Sequence, residues 1–147
     1  MAGARWGGGR PSRSSGLPSR RIRKVGKQKT ILVVDDEETI RTIVEQGLSL
    51  FGYRVLKASS GEEALRIYRE RGKEIDLVFL DLIMPGMSGL RCFEELREMD
   101  PEVKVIVMSG YPIEEEVLAK ATGSITKPFG VKELLEAIRQ ARPDLSD

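Results

Sequence analysis

The chain has 147 residues, 40% hydrophobic and 32% charged, enough for one globular domain with an adequate core and a tail. It has no histidine, so no imidazole can serve as general base, metal ligand or phosphoryl carrier, and its single cysteine, Cys92, excludes an intramolecular disulfide and fits a reducing, cytoplasmic setting. No apolar run approaches the ~20 residues of a membrane span.

The formal net charge of +1 conceals an asymmetry: residues 1–29 hold nine Lys or Arg and no acid, which leaves 15 basic and 23 acidic residues, a net of −8, in the remainder. Residues 1–29 are rich in Gly, Ser, Pro and Arg, lack hydrophobic periodicity and have no apolar core of a signal peptide, so a disordered basic tail is expected. Such a tail reads either as an arm for polyanions, nucleic acid or anionic lipid, or as an unstructured leader or mis-called start, and the second reading is favoured.

From Thr30 the pattern alternates. "TILVV" (30–34) predicts a buried strand, followed by "DDEE". An amphipathic helix follows over 38–50, with Ile40, Ile43, Val44 and Leu48 inward and Gly52 closing it. "RVLKA" (54–58) is a second strand, and Ser60, with Glu63 at capping-box spacing, opens a helix over 61–71. Strand three spans 75–81 and ends on Asp81. "MPGMSG" supplies a Pro85-Gly86 turn and a Ser88 cap for a helix over 88–99. Strand four (104–109), a short helix (113–121), strand five (124–127) and a helix over 131–142 with Val131, Leu134, Leu135 and Ile138 inward complete the series. Five strands alternating with five helices predict a doubly wound α/β fold with one parallel five-stranded sheet.

In such a sheet the polar strand ends share one edge: Asp35 and Asp36, then Asp81, Ser109 and Lys127. Converging carboxylates repel unless a cation lies among them, and oxygen-only ligands suit Mg²⁺. Lys127 and Ser109 add an ammonium and a hydroxyl able to bind phosphoryl oxygens. Together these groups suit phosphoryl transfer, with Asp81 as a carboxylate nucleophile. Each residue alone has a plainer reading: acids at a helix start, a polar strand end, a surface lysine. Cys92 and the methionines read as packing or surface residues.

In "ILVVDDE", "DLVFLDLIMPGMSGL", "VIVMSGY" and "TKPF", taken in order, the chain resembles the receiver domain of two-component response regulators, from about Lys29 to about Arg142. The resemblance implies a flavodoxin-like sheet of order 2-1-3-4-5 and a domain over 30–142, between the tail of 1–29 and a C-terminal tail of 143–147. It implies that Asp81 accepts a phosphoryl group from a phosphohistidine on a histidine kinase or histidine phosphotransfer protein. It further implies that Asp35, Asp36, Asp81 and the backbone carbonyl of Ile83 hold Mg²⁺, that Lys127 neutralises the acyl phosphate, and that Ser109 swings toward it. A cis Lys127–Pro128 bond is usual in that family. The chain is thus expected to be a switch rather than a turnover enzyme, with no DNA-binding domain after the receiver and with "MSGY…TKPF" nearest to stand-alone or hybrid-kinase receivers. A relay intermediate without its own output is the near alternative.

Two rival classes fit less well. An aspartyl-nucleophile phosphatase of haloacid-dehalogenase type needs a second acid two residues after the nucleophile, where Ile83 stands. A flavodoxin-like flavin carrier would place a phosphate loop where "DDEE" repels phosphate. Two departures from the family pattern concern signalling rather than chemistry: Ser124 occupies the place of the usual strand-five aromatic, and the Ser109–Lys127 segment is shorter by about one helical turn.

Overall fold

The computed structural model describes residues 28–145. The basic tail therefore lies outside the described residues up to residue 27, as do residues 146 and 147. Five strands, β1 (Thr30–Val34), β2 (Arg54–Ala58), β3 (Leu77–Asp81), β4 (Val105–Ser109) and β5 (Gly123–Thr126), alternate with α1 (Glu38–Ser49), α2 (Gly61–Arg71), α3 (Gly89–Met99), α4 (Glu115–Lys120) and α5 (Val131–Ala141). All strand pairs are parallel, in the order β2-β1-β3-β4-β5. This is the doubly wound sheet that the alternating pattern predicts.

Side-chain alternation divides the core between the two sheet faces. Leu32, Val34, Val78, Leu80, Val105 and Val107 pack with α2 and α3 through Ala64, Leu65, Cys92, Phe93 and Leu96. Ile31, Val33, Leu77, Phe79, Ile106 and Met108 face Val44 and Leu48 of α1 and Leu134 and Ile138 of α5. The α1–α5 packing is close, since a Cβ at Gly47 would run into the Val131 side chain. That packing fills the Val44–Leu48 side of α1 and leaves Ile43, expected inward, 38% exposed on the flank of the stripe.

Local chemistry sets the boundaries. Gly52 closes α1 at φ +88°, and Gly86 takes φ +76° in the loop after β3. Ser60 Oγ accepts the Glu63 amide at 3.1 Å, whereas the Glu63 carboxylate takes the Ser59 amide at 2.7 Å, one residue before the capping-box partner. Ser88 Oγ accepts the Arg91 amide at 3.2 Å, as a cap should. The remaining shifts are short. Residues 72–74 form a 3₁₀ turn, so β3 begins at Leu77, and β5 lies one residue earlier than expected, which puts Lys127 just beyond it.

Beyond α5, in the segment expected to be a tail, Leu145 is buried among the α1–α5 core residues. Arg142 fixes this turn, donating through Nε and Nη2 to the Asp144 carboxylate at 2.9 and 2.6 Å and through Nη1 to the Asp76 carbonyl at 2.9 Å.

Candidate phosphoryl-transfer site

Register brings the site together. Val34 pairs with Leu80, Asp81 with Met108, and Ser109 with Thr126, so the residues at and just after these ends share one edge of the sheet. Backbone hydrogen bonds extend the alignment past the strands: the Asp35 amide donates to the Ala58 carbonyl at 3.1 Å and the Lys127 amide to the Ser109 carbonyl at 2.9 Å.

Asp35 and Asp81 are buried, while Asp36 is exposed. One carboxylate oxygen from each of Asp35, Asp36 and Asp81 lies within 4.8 Å of the other two. The Lys127 ammonium is 2.8 Å from Asp35 Oδ2, 3.3 Å from Asp81 Oδ2 and 3.5 Å from Glu37 Oε1. Short Asx turns hold both buried acids: Asp35 Oδ1 accepts the Glu37 amide at 2.9 Å, and Asp81 Oδ1 accepts the Ile83 amide at 3.1 Å. The Lys127–Pro128 bond is cis.

Electrostatics reinforce this picture. Burial raises the Asp81 pKa to about 6; the Ile83 amide and Lys127 pull it down, and the Asp35 charge pushes it up. Burial disfavours the Lys127 charge, but Asp35 and then Asp81 outweigh this and raise its pKa. Asp35 Oδ2, fully buried, has the ammonium near it but no well-aligned hydrogen-bond donor among the described residues. Three carboxylate oxygens brought within 4.8 Å of one another, two of them from buried acids and with a single ammonium near them among the described residues, fit a hard divalent cation.

Of the residues singled out in the sequence, Asp35, Asp36, Asp81 and Lys127 converge. Ser109 stands at the same edge, but its hydroxyl donates to the Tyr111 carbonyl at 2.9 Å and accepts the Tyr111 amide at 3.0 Å. Ile83 follows Asp81 by two residues, its side chain exposed. Cys92 is packing, as expected; burial pushes its thiol up to about 12.

Three further residues shape the site. Gly89 lies so close to the end of β3 that a Cβ there would strike the Asp81 carbonyl oxygen and the Leu82 backbone. Its signal was a glycine at the first position of a helix, where side chains are normally tolerated. Arg41 Nη1 donates to the Asp35 carbonyl at 2.7 Å, and Glu37 reaches Lys127. Glu37 stood in plain view within "DDEE", but only the fold shows which acid faces the lysine.

Residues 31–139 match the response regulator receiver domain family, and the chain belongs to it. Among curated relatives, the sensor kinase CckA of Brucella abortus is 38% identical over 117 residues, covering 76% of this chain and 12% of that protein. Sporulation initiation phosphotransferase F of Bacillus subtilis is 32% identical, covering 77% of this chain and 93% of that one. The chain also spans 48% of the probable transcriptional regulator ycf27 of Porphyridium aerugineum, about half its length. Of solved structures, the response regulator TrrA of Thermotoga maritima in complex with Mg²⁺ and beryllofluoride aligns with a TM-score of 0.71 at 35% identity, over 78% of this chain and 99% of that one. Residues 31–139 are thus a receiver domain of the kind used in two-component and phosphorelay signalling. Among the described residues, no helix is long and apolar enough to cross a membrane.

Proposed function

We propose that Asp81 accepts a phosphoryl group from a phosphohistidine on a partner histidine kinase or phosphotransfer protein. A carboxylate oxygen of Asp81 attacks phosphorus, the phosphorus–nitrogen bond breaks, the imidazole departs with its electron pair, and an acyl phosphate forms. The observation that carries this is Lys127 set between two buried acids, 3.3 Å from Asp81 Oδ2 and 2.8 Å from Asp35 Oδ2. A nucleophile held by its Ile83 hydrogen bond and faced by a fixed cation meets the demand of phosphoryl transfer, which is mostly positioning and charge neutralisation. With a pKa of about 6, Asp81 is mainly the nucleophilic carboxylate at neutral pH.

Asp35, Asp36, Asp81 and the backbone carbonyl of Ile83 would hold Mg²⁺, which when bound would neutralise charge developing on the phosphoryl oxygens. Lys127, 3.3 Å from Asp81 Oδ2, neutralises the acyl phosphate. Ser109 leaves its Tyr111 hydrogen bonds to meet a phosphoryl oxygen. The domain catalyses its own modification and acts as a switch, and no second acid stands at Ile83 to support a phosphatase. The near-complete coverage of a relative named as a phosphotransferase favours a relay role as the second reading.

Incubation with acetyl phosphate and Mg²⁺, followed by intact-mass and peptide mass spectrometry, tests the assignment. One acid- and base-labile phosphoryl group on Asp81 is expected. Equal labelling of Asp81→Asn would overturn it.

A further inference from the structure

Glu37 occupies the N-cap position of α1, yet its side chain caps nothing. Its backbone is fixed: the amide donates to Asp35 Oδ1 at 2.9 Å, and the carbonyl accepts the Arg41 amide at 3.2 Å. Its carboxylate instead turns to Lys127, with Oε1 3.5 Å from the ammonium. The three acids around Lys127 differ in one respect. The side chains of Asp35 and Asp81 are 0% and 5% exposed, and that of Glu37 is 61% exposed. Two partners are locked in the interior. Only the third can withdraw into water at little cost.

We propose that Glu37 is a positioning residue that shares the Lys127 ammonium in the resting site and releases it when the phosphoryl group arrives. The proposal rests on the phosphoacceptor reading of Asp81 and deepens it. A phosphoryl group on Asp81 brings about −1.5 to −2 charge to a site where, among the described residues, Lys127 supplies the one nearby ammonium. Lys127 then has a stronger partner than Glu37, and the exposed carboxylate yields. Until that happens Glu37 competes for the same cation, so it weakens capture of the phosphoryl group. Fixed backbone and free side chain are the properties such a competitor needs.

The test uses the full chain with saturating Mg²⁺ and beryllofluoride as the acyl-phosphate probe, binding being followed by calorimetry. Glu37→Gln keeps the size of the side chain and removes its charge. Glu38→Gln removes the same charge one residue further on, from an acid with no ion pair among the described residues. Glu37→Gln should bind beryllofluoride about two- to fivefold more tightly than the parent, the scale of one exposed ion pair. Glu38→Gln should match the parent. The thermal midpoint of Glu37→Gln without the probe should stay at the parent value, because a merely structural role at the start of α1 would lower it. Unchanged or weaker binding by Glu37→Gln, or an equal gain in Glu38→Gln, would overturn the role of Glu37 and leave Asp81 as acceptor. Absence of beryllofluoride binding by the parent chain would overturn both readings.

Discussion

The corner built from β1, β3 and Lys127 differs sharply from the side formed by α4 and β5, which lie beyond the fully buried β4. In the first, two buried acids each carry an Asx turn, the lysine spans them, and a helix start is pressed so close that only Gly89 fits. In the second, α4 has six residues and buries only Val117, and β5 has one buried residue, Ile125, among four. Ser109 joins the two regions, and its hydroxyl is bound to the backbone of the looser one. The contrast separates a preformed candidate site from a weakly held segment, α4 and β5, able to report on it. A short helix with little buried surface is marginal by itself, and elements that move in switching come from the low-stability end of a structure.

The largest expected effect lies in the shared sheet. Phe79→Ala empties a fully buried position and should cost about 3–5 kcal/mol in chemical denaturation, with both regions unfolding together. Separate transitions for the two sides would break the comparison, because it assumes one scaffold.

The next effect depends on pH. The Asp81 pKa of about 6 lies above the ordinary 3.8, so the metal-free folded state holds this proton more tightly than the unfolded chain. Asp81 therefore leaves stability intact below pH 4, erodes it as pH rises toward 6, and imposes a constant penalty above that. Asp81→Asn in chelator should gain on the order of 1–3 kcal/mol at pH 7, and the gain should fade as pH drops from 6 to 4. Thermal melts across this range check it. A gain independent of pH would contradict burial of the ionised Asp81 carboxylate as the origin of the penalty.

Removing an exposed candidate ligand should harm binding without harming the fold. Asp36 is exposed, so Asp36→Ala should keep the parent midpoint while losing Mg²⁺ affinity by at least about tenfold in calorimetric titration. Undiminished Mg²⁺ binding would remove Asp36 from the donor set.

The smallest effect belongs to the looser side. Leu118 is 42% exposed on α4, and Leu118→Ala should change global stability by no more than about 0.5 kcal/mol. A loss near that of Phe79→Ala would show that α4 is held far more firmly than its burial implies.

Much of this contrast could be read from residue order. β1, β2 and α2 fall within their expected limits because apolar runs, Ser60 and Gly52 punctuate them locally. Asp35, Asp36, Asp81 and Lys127 were legible because a parallel sheet carries every strand's C-terminal end to one edge. What escaped depends on rotamers and close approach. Glu37 and Glu38 are identical in sequence terms, yet only Glu37 meets Lys127. The turn of Ser109 toward Tyr111 rather than Asp81 follows from a local hydrogen-bond choice that residue order does not dictate. Gly89 matters through one backbone contact between β3 and α3. Ile43 was misplaced because periodicity predicts a stripe, whereas the packing of α5 determines its width.

The division between a fixed site and a responsive segment is tested most directly by backbone NMR with and without Mg²⁺ and beryllofluoride. Ser124 is exposed and has no ring to bury, so it offers little apolar energy to bias a two-state rotamer. Away from Asp81, the largest shifts should fall between Ser109 and Thr122, as an order–disorder or hinge change, and Ser109→Ala should suppress them. Equal or larger shifts centred on Ser124 and the rest of β5 would contradict the account.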